Sequence, residues 1–86
     1  MRITDEQYEQ IKQPLRDFYS YLCQNHYIRY KMDTIRDELP EINAKEKELN
    51  KLVQSVLHTE QEYDWLEFFS DNLATRYGVD NFFNSL

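Results

Sequence analysis

Residues 28–56 read IRYKMDTIRDELPEINAKEKELNKLVQSV, and this stretch decides the fold. Apolar residues recur in it every seven positions, and a second series follows each of them by four residues. The two series are Ile28, Ile35, Ile42, Leu49 and Val56, and Met32, Leu39, Glu46 and Val53. A seven-residue apolar repeat is typical of a helix that packs on another helix in a left-handed supercoil. The stretch therefore predicts a long central helix with coiled-coil-like heptads.

Two residues disturb this pattern. Glu46 places a carboxylate in the apolar series, where a polar residue costs stability but can set the packing register. Pro40 lacks a backbone N–H, so it either kinks one helix over 28–58 or begins a second helix. The unbroken heptad phase favours the kink, whereas Asn43, three residues before Glu46, is a candidate cap that favours a break. We predict the kinked, continuous helix.

A capping signature predicts where the first helix begins. Thr4 and Gln7 have the spacing of a capping box, in which the two side chains bond each other's backbone N–H. The helix is predicted over about 4–24, and Pro14 is expected to kink or break it. Its apolar face comprises Ile11, Leu15, Phe18, Tyr19 and Leu22.

A similar signature, Thr59 with Glu62, predicts a last helix over 59–77. The predicted core stripe of this helix comprises Leu66, Phe69, Leu73 and Tyr77. Gly78 is then expected to adopt the left-handed conformation that ends a helix, with Val79 as the apolar partner of that cap.

Composition supports an all-α class. The chain has 86 residues with one Gly and two Pro, so few positions favour the turns of a many-stranded fold. We predict a single domain over 1–86, a small antiparallel helical bundle with a long, Pro-kinked central helix and a short final turn over 80–85.

Other features indicate where the chain resides. The single cysteine, Cys23, cannot form an intramolecular disulfide, which favours a reducing compartment. No run approaches the ~18 apolar residues of a membrane-spanning helix, and residues 1–10 lack the apolar core of a signal peptide. We predict a cytoplasmic protein that does not interact with membranes.

The distribution of charge argues against direct nucleic-acid binding. The net charge is −6, and residues 59–86 hold six carboxylates against Arg76, a net charge of −5. Ala74, Gly78 and Val79 have the spacing seen around the turn of a DNA-binding helix-turn-helix. No Lys or Arg follows Arg76, however, so a recognition helix here would have nothing to neutralise phosphates.

The acidic residues of the last predicted helix form a candidate binding surface. Glu60, Asp64, Glu67 and Asp71 are spaced so that one continuous helix would align them in a narrow stripe. Such a row is either a solvated face or a surface for a basic partner. Trp65 and Phe68 would add an aromatic edge beside it, typical of interface anchors. Alternatively, Phe68 packs on Phe82, on Phe83 or on a second protomer.

These observations lead to two hypotheses about function. The first is a small non-catalytic inhibitor or regulator, of the type found in phages and mobile elements, whose acidic and aromatic face binds a basic, nucleic-acid-handling protein. The second is a structural or adaptor coiled coil that acts through its heptad seam. A chain this short covers the seam poorly, so a homodimer is expected through Ile28, Met32, Ile35, Leu39, Ile42, Leu49, Val53 and Val56.

A third hypothesis depends on a resemblance. Glu38-x-x-Glu41 and Asp64-x-x-Glu67 resemble the acidic pairs of the all-α nucleoside triphosphate pyrophosphohydrolases of the MazG type. The resemblance implies Mg²⁺ held between facing helices. This sequence departs from the pattern, because Pro40 lies inside the first pair and the second pair has Asp first. We therefore predict no enzyme activity, no cofactor and no metal site.

Overall fold

The computed structural model describes residues 2–24 and 40–85 of the chain. Four α-helices lie in these residues, and we number them in chain order. They are α1 (Asp5–Gln24), α2 (Pro40–Leu57), α3 (Trp65–Asp71) and α4 (Arg76–Asn84). The described residues form helices, turns and extended segments but no β-strand, so the predicted all-α class is confirmed.

Helix α1 begins as the sequence predicts. The Thr4 N–H donates to Gln7 Oε1 at 3.0 Å, and the Gln7 N–H donates to Thr4 Oγ1 at 3.1 Å. These bonds satisfy two N–H groups at the helix start. Four of the five predicted face residues are buried, while Tyr19 is half-buried. The prediction of a break at Pro14 is wrong, because α1 continues through this residue from Asp5 to Gln24.

Helix α2 begins at Pro40, a position where a missing N–H costs nothing. The four earlier seam residues lie outside the described residues, so the heptads before Pro40 and the kink stay predictions. Those residues are Ile28, Met32, Ile35 and Leu39. The cap proposed at Asn43 is wrong, because Asn43 and Glu46 both lie inside α2.

The second half of the heptad seam is buried within the chain itself. Ile42 and Val53 are 0% exposed, Leu49 is 5% exposed, and the helix pairs with α1. At the end of α2 the buried residue is Leu57 and not the heptad residue Val56, which is only half-buried. This drift is expected of a straight helix with 3.6 residues per turn. These positions therefore need no second protomer to cover them.

Contacts at both ends show how α1 and α2 lie together. Lys45 Nζ lies 4.6 Å from the centre of the Tyr21 ring, near the end of α1. At the other end, Thr4 shares a shallow cleft with Ser55 and His58, at the end of α2. The beginning of α1 therefore lies beside the end of α2.

His58 ends α2 in the left-handed conformation, with φ of 54°. The Thr59 N–H donates to the Gln54 carbonyl at 3.1 Å, which is the long bond of a Schellman cap. Gly78 was expected to form such a cap, and this is wrong. It lies inside α4 without a positive φ, and its N–H donates to Thr75 Oγ1 at 3.1 Å.

The predicted last helix over 59–77 is also wrong. Residues 59–64 are not helical, α3 ends at Asp71, and α4 begins at Arg76 after a connection over 72–75. This break changes which side chains face the core.

Arg76 fastens the start of the chain to α4. Its guanidinium donates to the carbonyls of Ile3 and Thr4, pairs with Asp80 at 3.3 Å, and lies 5.4 Å from the Tyr8 ring centre. Ile3 is buried beside these contacts. The arginine is therefore engaged in holding the fold.

Candidate protein-binding surface

The segment before α3 is held against α2 by the side chain of Asn50. Asn50 Nδ2 donates to the Tyr63 carbonyl at 3.1 Å, and the Tyr63 N–H donates to Asn50 Oδ1 at 3.0 Å. The Trp65 indole N–H donates to the same oxygen at 2.9 Å. The amide thus bonds Tyr63 as a neighbouring strand would, and it also satisfies a buried indole.

Gln54, one turn further along α2, holds the earlier part of the same segment. Its Nε2 donates to the carbonyls of Glu60 at 3.2 Å and Gln61 at 3.0 Å. The Gln61 N–H donates to Thr59 Oγ1 at 3.2 Å. Residues 59–64 therefore lie along α2 and do not form the first turns of a helix.

Asp64 is the residue that caps α3. Its side chain accepts from the Glu67 N–H at 3.1 Å, and its carbonyl accepts from the Phe68 N–H at 3.0 Å. The box predicted at Thr59 and Glu62 is wrong. Asp64 and Glu67 have the same three-residue spacing, and this signal in the sequence was missed.

The four acidic residues of the predicted stripe do not share one helix. Glu60 lies in the segment along α2, Asp64 is the cap, and Glu67 and Asp71 lie on α3. The prediction that the four carboxylates are aligned in one stripe along a helix is therefore wrong. All four side chains are nevertheless exposed, as is Glu62 in the same part of the chain. The break in the helix rearranges the carboxylates without burying them.

The aromatic edge predicted beside this stripe is wrong, because Trp65 and Phe68 are both 0% exposed. Phe68 packs edge-on against Phe82 with ring centres 5.1 Å apart, and Trp65 lies 5.9 Å from Phe82. Phe69, next to Phe68, lies 5.9 Å from Phe18 on α1. These aromatic residues join α3 to α1 and α4, so they form the core and not a binding edge. The alternative packing of Phe68 on Phe82 is the one found.

Two residues predicted to be buried are instead on the surface. Leu73 is 59% exposed and Tyr77 is 82% exposed. Leu73 lies in the connection between α3 and α4, and Tyr77 is the second residue of α4, so the helical periodicity of α3 does not continue through them. Thr75, a preferred capping residue three positions before Gly78, marks this break in the sequence.

A polar cleft of about 460 Å³ lies between α2 and the segment before α3. Its lining comprises Asn43, Glu46, Lys47, Asn50, Lys51, Gln54, Glu62, Tyr63 and Asp64. Glu46, the exception in the heptad series, is 6% exposed there. Lysines and carboxylates both line the cleft, so its charge is mixed.

The described residues do not assemble the acidic pairs of the pyrophosphohydrolase resemblance. Glu38 lies outside them, Glu41 is exposed at the start of α2, and Asp64 is engaged as a cap. Within the described ranges, no three His, Cys, Asp or Glu side chains are grouped so as to hold a metal ion.

No protein-family model, curated protein or solved structure matched this chain. Among the helices at 5–24 and 40–84, none is long and apolar enough to cross a membrane.

Proposed function

We propose that this chain is a small non-catalytic protein-binding inhibitor or regulator that presents carboxylates to a basic, nucleic-acid-handling protein in the cytoplasm. The observation that carries the proposal is the exposure of Glu60, Asp64, Glu67 and Asp71 in a segment, residues 59–71, that contains no Lys or Arg. We refer to these four residues as the acidic surface.

The way this surface is held supports binding. Glu60 is held through the bond from Gln54 to its carbonyl, and Asp64 is held through its cap of α3. Groups held in place before binding lose less conformational entropy on association. Carboxylates on such a surface also attract a basic partner over a distance and raise its association rate.

The alternative function, an adaptor acting through the heptad seam, has less support. Ile42, Leu49 and Val53 are buried in a single chain, so that half of the seam is not free for another helix. The same burial removes the reason for a homodimer through these three residues. Sedimentation velocity tests the predicted dimer directly, and a monomer at tens of micromolar would exclude it.

The decisive variant neutralises the acidic surface without changing its shape. It combines Glu60→Gln, Asp64→Asn, Glu67→Gln and Asp71→Asn. Asn caps a helix about as well as Asp, so α3 keeps its start. Loss of favourable charge at the helix start and relief of repulsion at i, i+4 oppose each other, so stability should change by less than about 1 kcal/mol.

A matched control neutralises four exposed carboxylates elsewhere, through Glu6→Gln, Asp17→Asn, Glu41→Gln and Glu48→Gln. Both variants change the formal net charge from −6 to −2, so they differ in position and not in total charge. Each is immobilised beside the wild type, exposed to lysate of the source cells, and analysed by mass spectrometry.

We expect a basic protein to be retained by the wild type and by the control but not by the acidic-surface variant. With that partner purified, the association rate constant should fall about tenfold or more for the variant at low salt. Retention of the same proteins by all three would show that the acidic surface is a solvated face.

A further inference from the structure

Leu73 and Tyr77 are the most exposed large apolar side chains of the described residues, at 59% and 82%. Their backbones lie close together, because the backbone of Leu73 lies against Gly78, which follows Tyr77. A Cβ at Gly78 would overlap the Leu73 carbonyl oxygen and lie 3.1 Å from its carbonyl carbon. The single glycine of the chain thus allows the connection over 72–75 to lie directly on α4.

This connection is fastened at several points. Asn81 Nδ2 donates to Asn72 Oδ1 at 3.0 Å, and Thr75 caps α4. From α1, Arg16 Nε donates to the Ala74 carbonyl at 3.3 Å. Leu73 and Tyr77 are therefore displayed from a held backbone, and their exposure does not arise from a loose loop.

The chemistry of the neighbouring surface indicates what would cover them. Asp71, an exposed member of the acidic surface, ends α3 two residues before Leu73. Exposed apolar side chains thus follow this carboxylate by two and six residues, where a partner that binds Asp71 through Lys or Arg can also reach them. Tyrosine is enriched among the residues that contribute most to interfaces, because it buries a large ring at little entropic cost.

From these observations we infer that Tyr77 and Leu73 form the apolar anchor of the interface, and that the partner has an apolar pocket rimmed by Lys or Arg. This inference rests on the proposed function, since it assigns the anchor of the same surface. The carboxylates govern the approach of the partner, and the apolar pair slows its departure. The anchor thus lies at Tyr77 and Leu73, whereas the sequence had suggested Trp65 and Phe68.

Two synthetic peptides of equal length and charge serve as probes. One alternates Lys with Leu, and the other alternates Lys with Ser. We expect the wild type to bind the Lys–Leu peptide about tenfold more tightly, a difference of about 1.4 kcal/mol. In the doubly substituted Leu73→Ser, Tyr77→Ser protein this preference should disappear, while weak, salt-sensitive binding to both peptides remains.

Two controls separate the anchor from the charge. Leu52→Ser removes another exposed apolar side chain, at 38% exposure on α2, and should keep the preference. The acidic-surface variant should lose affinity for both peptides equally. Thermal unfolding followed by circular dichroism confirms that each variant is folded.

The outcomes distinguish a failure of the apolar anchor from a failure of the proposed function. If the wild type binds both peptides with equal affinity, or if the double variant keeps the preference, then Leu73 and Tyr77 are not the anchor. The proposal that the acidic surface binds a basic partner is unaffected by that result. If the wild type binds neither peptide at low salt, both are overturned.

Discussion

The indole N–H of Trp65 donates to Asn50 Oδ1 at 2.9 Å, across fifteen residues of sequence. That oxygen also accepts from the Tyr63 N–H, so one amide satisfies a buried tryptophan and a backbone group of the preceding segment. The placement of Asp64, which lies between Tyr63 and Trp65, therefore depends on a residue of α2.

Asn50→Ala should destabilise the protein by about 2–4 kcal/mol, because it leaves the buried Trp65 indole and the Tyr63 backbone without partners. Asn50→Asp keeps the accepting oxygen but loses the donor to the Tyr63 carbonyl, so a smaller loss is expected. Urea unfolding followed by tryptophan fluorescence measures both. A control, Asn84→Ala at an exposed site, should change stability by less than about 0.5 kcal/mol. Equal stability of Asn50→Ala and the control would contradict this role.

For Gly78→Ala, helix propensity and packing predict opposite changes in stability. Inside a helix the change would stabilise by about 1 kcal/mol, since alanine is the better helix former. The new Cβ, however, would overlap the Leu73 carbonyl oxygen, which belongs to a fastened backbone. We expect packing to dominate, with a loss of about 1–3 kcal/mol in urea unfolding. A more stable variant would show that the connection over 72–75 can move away.

His58→Gly should stabilise the protein. A residue with a Cβ pays about 1–2 kcal/mol in the left-handed conformation, and glycine avoids this cost but loses about 0.5–1 kcal/mol through its freer unfolded chain. The expected net gain is about 0.5–1 kcal/mol. His58→Ala is the control, because it retains the Cβ and should gain nothing. If the two variants unfold at the same urea concentration, the φ of 54° does not limit stability.

Alkaline pH should weaken the fold through Tyr63. Burial raises the pKa of this hydroxyl above 10.0, and the nearby Thr59 side chain opposes the shift only in part. The neutral form is therefore favoured in the folded state. Its contribution to stability is complete below pH 10 and is lost as the pH rises above 10, with a slope of at most about 1.4 kcal/mol per pH unit.

Tyr63→Phe should make this alkaline decline shallower in urea unfolding measured across pH. Part of the decline should remain, because the pKa of Tyr19 is also raised, chiefly by its hydrogen bond with Cys23. Tyr77→Phe, at an 82% exposed site, is the matched control and should decline like the wild type. An identical decline in all three proteins would contradict the effect of Tyr63 burial.

Local patterns in the sequence were sufficient for the start of α1 and for the buried face of α2. The Thr4–Gln7 box forms as predicted, because its bonds join residues three positions apart and need no tertiary contact. Ile42, Leu49 and Val53 are buried as their spacing indicates. Periodicity identifies which face of a helix is covered. It does not identify what covers that face, and so Ile42, Leu49 and Val53, attributed to a contact with a second protomer, are covered within one chain.

The last third of the chain required the tertiary structure. Residues 59–77 have a helical pattern of apolar residues, yet amides on α2 bond the backbone at 60–63 and hold it in an extended path. Helix formation in a short segment is marginal, so such bonds from outside it can decide the outcome.

The sequence by itself determined the all-α class, the start of α1, the buried face of α2 and the exposure of four carboxylates, since each follows from local spacing or charge. The tertiary structure alone decided which apolar side chains near the C-terminal end are buried. The break at 72–75 turns Leu73 and Tyr77 outward, and Phe82 packs against Trp65 and Phe68. The physical reason is that a break between two helices changes which side of the helix each later residue occupies. Contacts between residues distant in the sequence determine where this break lies.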